Sequence, residues 1–550
     1  MPQAVLSTKR KPSTKRTRNS TLKVKSGCIT CKVRHVKCDE QKPSCHRCTS
    51  TGRKCDGYAT ATPISLIKPV QYAQFAEGVE YLEFYHHSTA QTLSNQFDNG
   101  FWSRTTLQLA LCEPSIRHGL IALSYLSKSL PTSVRDVHAK AAPSNMFYYY
   151  YSKAVGSLAR RMAEPSCTLE ISLTACLIFV CIDLLQDKRS SAVEHFQSGI
   201  KLIAERCGAK NELLPYSKTS RKLAKGLPAS SNKGNAILEE TIIPIFRRNI
   251  IVALLKGIPI NTIVPVQDIL SPSIPMPAPG TICTIADLSL LGDHIRNASV
   301  FFAQNAAVKT MSKQPYTPQD TSSQQQLLAH HNAWFAALLD LENSRQLSAA
   351  ELTMSSAQKV ANWISYIIIA CALDFRQMNY DNYIPTFQQI NHHASILLSN
   401  PPSSPAGKSS QTQNSHFTFE LSLIPSLSFA AARCRCPTTR RISLALLQRT
   451  PARESFYDAE VQRAIVARII EIEEQCLDPE TGRPAAHSRL LGMGSRGGFD
   501  KEESFDKEGR ALVTFSYVGW WEQWMKGGVL DDAGSWEEKV GWVEGIERVR

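Results

Sequence analysis

The sequence predicts a small metal-stabilised module followed by a large all-α domain, and three observations carry that prediction. Six of the 16 cysteines lie between Cys28 and Cys55, in a spacing that repeats itself. Residues 1–60 hold 15 Lys/Arg against 3 Asp/Glu, while the other 490 residues hold 47 against 45. From about Val79 onward, apolar residues recur at helical and not at strand spacing, as Ile116, Leu120 and Leu123 do after Pro114.

Composition bounds the rest. At about 100–200 residues per domain, 550 residues leave room for two to four domains. A chain with 43% hydrophobic and 20% charged residues has an ordinary globular mixture. The longest apolar runs, Ala175–Ile182 and Trp363–Leu373, fall short of the roughly 18–20 residues of a membrane span. The N-terminus shows no apolar signal core, so the expectation is a soluble, intracellular chain without a membrane partner. Of the net charge of +14, +12 sits on the first 60 residues, the footprint of a polyanion-binding module on a near-neutral body.

Taken in order, residues 1–25 read as a disordered basic arm, whose clusters Lys9-Arg10-Lys11 and Lys15-Arg16-Thr17-Arg18 suit nuclear import or phosphate contact. Residues 26–58 are the cysteine module, and 59–78 a linker broken by Pro63 and Pro69. Residues 79–480 form the all-α body, with loops expected at 214–236, 271–280, 312–326 and 399–416. Its helices are expected at Met146–Met162, Leu169–Leu185, Ala192–Glu205, Gln324–Leu341, Ser356–Leu373, Ser428–Leu447 and Val461–Cys476. Residues 481–550 are a loop and an acidic, Trp-rich segment: 500–550 hold five of the eight Trp and 12 acidic against 7 basic side chains. A closing amphipathic helix is expected there in preference to an activation segment.

The cysteine spacing is Cys28-x2-Cys31-x6-Cys38-x6-Cys45-x2-Cys48-x6-Cys55, the second triplet repeating the first. Two cysteines separated by two residues bind one ion from a turn and the first turn of a helix. One tetrahedral zinc would leave two cysteines over. Two Zn2+ ions need eight ligand positions from six sulfurs, so two sulfurs bridge, and the repeat suggests one equivalent cysteine from each half. Which pair bridges stays open at this point. Disulfides are the alternative, and the intracellular expectation argues against them. About 30 residues cannot bury enough surface alone, so folding should depend on the metal.

Between two of these cysteines, Lys32-Val33-Arg34-His35-Val36-Lys37 is expected to be a short helix. At helical spacing Val33 and Val36 turn toward the metals, Arg34 and His35 point furthest away, and Lys32 and Lys37 flank them. A cationic fork bracketed by two lysines suits double-stranded DNA, with arginine matching guanine in the major groove and lysines on phosphates. The second half, with Thr49-Ser50-Thr51-Gly52 in that place, is far less basic.

Other signals carry less. Gly492-Met493-Gly494-Ser495-Arg496-Gly497 spells GxGxxG but lacks a convincing preceding strand, so a loop is expected. The adjacent pairs His86-His87, His330-His331 and His392-His393 diverge on a helix, and Cys176, Cys181 and Cys371 suit buried thiols. No catalytic constellation appears in residues 60–550.

Gly27-Cys28 through Cys55-Asp56-Gly57-Tyr58 resembles the six-cysteine binuclear zinc cluster of fungal transcription factors, most closely over Lys32–Glu40 and Lys42-Pro43. The resemblance implies that Cys28 and Cys45 bridge two Zn2+ ions, and that Arg34 and His35 meet CGG-like triplets in the major groove. Family members usually carry Lys or Arg at the position of His35, so a softened triplet preference is expected. Phe101-Trp102, Leu107-Gln108-Leu109-Ala110, Glu113–His118, His195–Gly199 and Cys434–Pro437 with Arg440-Arg441 are similar to segments of the fungal-specific regulatory domain. Together these imply a nuclear, sequence-specific regulator of RNA polymerase II transcription and not an enzyme. Residues 59–90 hold no sustained heptad, which leaves homodimerisation through the body open, along with a coactivator contact or a small-molecule inducer. The competing reading is a ligand-binding or enzymatic helical body merely tethered to nucleic acid by the module.

Overall fold

Capped, apolar-striped helices make up most of the described chain. The computed structural model describes residues 27–34, 36–57, 78–94, 100–129, 144–210, 237–255, 284–399, 417–419, 423–495, 511–517, 535–540 and 547–549. The arm, most of the linker, His35 and the expected loops 214–236 and 271–280 lie outside them, as does 399–416 apart from Ser399. The chain divides into two units, residues 1–77 and 78–550.

The first unit carries two short helices, α1 (Ile29–Val33) and α2 (His46–Thr49). The second opens with α3 (Val79–Phe84), α4 (Ala90–Leu93), α5 (Thr106–Cys112) and α6 (Pro114–Ser129). It continues through α7 (Asn145–Met162), α8 (Leu169–Leu185), α9 (Arg189–Lys210) and α10 (Ile243–Leu255). Then come α11 (Ile285–Met311), α12 (Pro318–Ser344), α13 (Ala349–Cys371) and α14 (Ile384–Ser399), and finally α15 (Ile424–Arg433), α16 (Pro437–Leu447) and α17 (Ala459–Glu473).

Helix α8 is the centre of the main core. Fourteen of its 17 residues are buried, so it has no polar face, and it packs against α6, α7 and α9. Gly199 on α9 lets Phe246 approach: a Cβ there would lie 2.4 Å from the Phe246 ring. A second cluster joins α11 and α12 through Leu288, Ile295, Trp334 and Leu338, with Trp334 Nε1 donating to the Leu288 carbonyl at 2.8 Å. A third packs Val466, Ile469 and Ile470 of α17 against Ala431 and Ala432 of α15.

Local chemistry explains where the elements differ from expectation. Most of 312–326 is helix, because Thr317 and Asp320 form a capping box with Pro318 at the first turn. The single helix expected over Ser428–Leu447 is two, since Cys434-Arg435-Cys436 is extended before Pro437. Most of the acidic, Trp-rich segment for which a closing helix is expected, 518–534 and 541–546, lies outside the described residues, and what is described past Arg489 is sheet. Strands β4 (Leu490–Ser495), β5 (Ala511–Tyr517), β6 (Ser535–Val540) and β7 (Glu547–Val549) pair antiparallel in that order. Here the described part of the GxGxxG string is strand, with Gly492 paired to Ser516 and Gly494 to Thr514. Three two-residue strands, β1 (Phe417–Thr418), β2 (Arg453–Glu454) and β3 (Tyr457–Asp458), make a second small sheet within the helical body.

Two of the histidine pairs do not diverge, since the rings of His86 and His87 meet edge to face at 4.8 Å and those of His392 and His393 at 5.4 Å. His331 is sealed between Ser299 and Asn362, and His393 bonds Ser356. Cys176, Cys181 and Cys371 are buried thiols.

Candidate metal centre and nucleic-acid interface

The repeat in the sequence is a repeat in geometry. Cys28 and Cys45 occupy the N-cap positions of α1 and α2, both with extended backbone. Each cap sulfur accepts the amide of the cysteine three residues on, Cys31 or Cys48, at 3.3 Å in both halves. The third cysteine of each half turns back onto the first: Cys38 Sγ accepts the Cys28 amide at 3.4 Å, and Cys55 Sγ accepts the Cys45 amide. The two halves are thus related by a pseudo-twofold.

This arrangement gathers sulfur. Sγ of Cys28 lies 3.5 Å from that of Cys45 and 3.8 Å from that of Cys48, and Cys31 lies 3.7 and 3.8 Å from the same pair. A Zn–S bond of about 2.3 Å sets tetrahedral sulfurs about 3.8 Å apart, so the donor set fits zinc. Cys38 and the Asp39 carboxylate form a second group with Cys45, all within 4.8 Å of one another, and Cys55 packs half-buried on the cluster. Cys28, Cys31, Cys45 and Cys48 thus lie together as one four-sulfur group drawn equally from both halves, and Cys45 also belongs to the group with Cys38.

Electrostatics point the same way. Burial among uncharged sulfurs pushes the Cys28 thiol up to about 12 and the Cys45 thiol further still. By contrast, amide donation from Cys45 and Gly57 draws the Cys55 thiol below its ordinary value. Sulfurs this close do not all ionise without positive charge between them, and a divalent cation supplies it.

Helix α1 spans Ile29–Val33 instead of the expected Lys32–Lys37, and that shift reorders the wheel. Val33 is 74% exposed, whereas Val36 packs against the cysteines. Arg34 is the half-buried C-cap; Lys32 and Lys37 are exposed on either side. His35 lies outside the described residues. Two of the module's carboxylates serve its own frame. Asp39 caps α2 by accepting the His46 amide at 2.8 Å, and Asp56 accepts the Thr30 hydroxyl at 2.8 Å. Lys32, Lys37, Lys42, Arg47, Arg53 and Lys54 remain as an exposed cationic surface. Sequence reasoning missed Thr30, Asp39 and Asp56; a short polar residue flanking a helix start was the available signal.

A sulfur cage of two like halves under a cationic surface, on a chain whose larger unit is mostly helical, defines a metal-dependent nucleic-acid-binding regulator class. Comparison with known proteins makes it particular. Residues 26–64 match the fungal Zn(2)-Cys(6) binuclear cluster domain, and residues 80–226 match the fungal specific transcription factor domain. By these matches the chain carries a zinc cluster domain and a regulatory domain of fungal transcription factors, and the families and relatives matched are transcription regulators and not enzymes.

The chain is 30% identical over 231 residues to the aspercryptin biosynthesis cluster-specific transcription regulator atnN of Emericella nidulans, covering 35% of this chain and 37% of that one. It is 29% identical over 204 residues to the transcription regulator lscL of Purpureocillium lilacinum, 32% of this chain and 48% of that one. Over 40 residues it is 55% identical to adhesion and hyphal regulator 1 of Candida albicans, 7% and 6% of the two chains. The matches thus span less than half the length of these relatives. No solved structure matches the chain.

Proposed function

We propose that this protein is a nuclear, sequence-specific DNA-binding regulator of RNA polymerase II transcription. Its module holds two Zn2+ ions through Cys28, Cys31, Cys38, Cys45, Cys48 and Cys55, with Cys28 and Cys45 bridging. The observation that carries this reading is the pseudo-twofold sulfur cage, in which Cys28 and Cys45 hold equivalent helix-cap places and lie 3.5 Å apart. Arg34 and His35 read a CGG-like triplet in the major groove of double-stranded DNA, while Lys32 and Lys37 hold phosphates. The exposure of Lys32 and Lys37 supports the phosphate role.

Selection of random duplexes by the zinc-loaded full chain tests it. A CGG-type triplet should emerge, and Arg34→Ala should relax one guanine at a cost of about 1–3 kcal/mol. Lys32→Ala should weaken every duplex alike and lower the salt slope by about one. A motif unchanged by Arg34→Ala would assign base reading elsewhere.

A further inference from the structure

Between α17 and β4, Asp478-Pro479-Glu480-Thr481-Gly482-Arg483 is a reversal by composition. The Asp478 carboxylate accepts the amides of Glu480 and Thr481 at 3.0 and 2.8 Å, and Gly482 takes the left-handed backbone that closes the turn. The two arms are then clasped. The Asp478 amide donates to the Arg483 carbonyl at 2.7 Å, Leu477 bridges to Pro484, and the Ala485 amide donates to the Cys476 carbonyl at 2.9 Å. The Ser488 hydroxyl lies 3.2 Å from that same carbonyl and 3.2 Å from the carbonyl of Glu473, which fixes the base of the hairpin to the end of α17.

The clasp sets a thiol against an imidazole. Cys476 Sγ lies 3.3 Å from His487 Nε2, one on each arm, and both side chains are exposed. Their backbones are held on both sides, so the contact is built into the hairpin. The buried thiols of the body are in the opposite state: burial pushes Cys176, Cys181, Cys371 and Cys434 up and keeps them protonated and out of reach. Among the described residues no third cysteine, histidine or carboxylate joins Cys476 and His487 closely enough to complete a metal site or offer a second thiol. A nucleophile and a base within hydrogen-bond reach, open to solvent, are what remains.

We propose that Cys476 and His487 form a covalent capture site for small α,β-unsaturated carbonyl compounds. The thiol proton passes to Nε2 of His487, and the sulfur forms a bond to the β-carbon of the electrophile. The electron pair of the carbon–carbon double bond moves to the α-carbon, which takes the proton back from the imidazolium. The product is a saturated carbonyl compound held as a thioether, and the step needs no oxidant, reductant or cofactor. The inference goes beyond DNA binding and stands on the larger unit alone.

The test treats the zinc-loaded full chain with acrylamide and, in parallel, with iodoacetamide, an alkyl halide of similar size whose displacement needs no returned proton. Peptide mass spectrometry follows each cysteine in time, with the exposed Cys112 at the end of α5 as the reference inside the same molecule. Cys476 should take up acrylamide about tenfold or more faster than Cys112. His487→Gln should remove that lead, slow iodoacetamide less, and leave the rate at Cys112 and the circular dichroism unchanged. DNA affinity, read on the same variant, should stay as it is, which separates this inference from the DNA-binding reading. A Cys476 no faster than Cys112, an acrylamide rate indifferent to His487→Gln, or equal slowing with both reagents would overturn it.

Discussion

Glu473 is fully buried and answers two fully buried arginines, Arg435 at 2.9 Å and Arg440 at 2.8 Å. Its other contact is the Leu490 amide at 3.0 Å. Burial alone would raise this carboxyl, but the two guanidinium groups hold it below its ordinary value. Glu473→Gln would strand two cations in the interior while keeping the shape, at a cost of about 3–5 kcal/mol. Chemical denaturation should show that loss, and replacing the exposed Glu471 by Gln should cost far less. From the sequence, Arg435 and Arg440 appeared only as part of a family-like segment. Nothing in spacing pairs them with a glutamate 33 residues or more away; only the packing of α15, α16 and α17 does.

The module's two helices have five and four residues, too short to stand in water on their own propensity. Sulfur and metal must hold them. A strong chelator should therefore abolish protected amides in residues 27–57 while the helical body keeps its circular dichroism, and zinc return should restore them with release of protons. Protection that survives complete zinc removal would refute that dependence. Elements were legible to different degrees, for physical reasons. Leu169–Leu185 matches its expected bounds because its apolar run is long and unbroken after Pro165, and the capping boxes at Thr317 and Ser348 are further signals in the sequence. Strands β4–β7 were not legible, because glycines and scattered tryptophans show no period until a partner strand supplies the pairing. At the cage, cysteine type and spacing exposed the donor set, but α1 starts and ends several residues earlier than expected, at Ile29 and Val33, and Val33 is exposed.

At the scale of the whole molecule, buried histidines couple stability to acidity. Burial drives His294, His331 and His393 each down to about 4. Nearby Arg247, Arg296 and Lys359 push the same way, and Asp293 and Glu342 only partly oppose them. In the unfolded chain these rings titrate near 6.5, so between about 6.5 and 4 the unfolded state binds more protons. Their contribution is intact above about pH 6.5 and drains away as pH falls toward 4. Thermal unfolding followed by helical circular dichroism, which the small module hardly affects, should show a falling midpoint over that window. His331→Asn in the Ser299–Asn362 pocket should flatten the slope even where it lowers the plateau.

The hydrogen bonds that close the cysteine module have a topological consequence. The Ile29 amide donates to the Gly57 carbonyl at 2.9 Å, and Thr30 bridges to Asp56 beside it, so the first and last residues of the module are neighbours. The two halves meet as equals around the sulfurs, and the exposed stretch 41–44 is merely the thread between them. Such a ring has no privileged start. A circular permutant that joins residue 57 to residue 27 and opens within 41–44 keeps every sulfur, cap and stitch in place. The order in which ribosomes deliver the two halves is then irrelevant to what they assemble, and the cation that gathers them acts as the true nucleus of the fold.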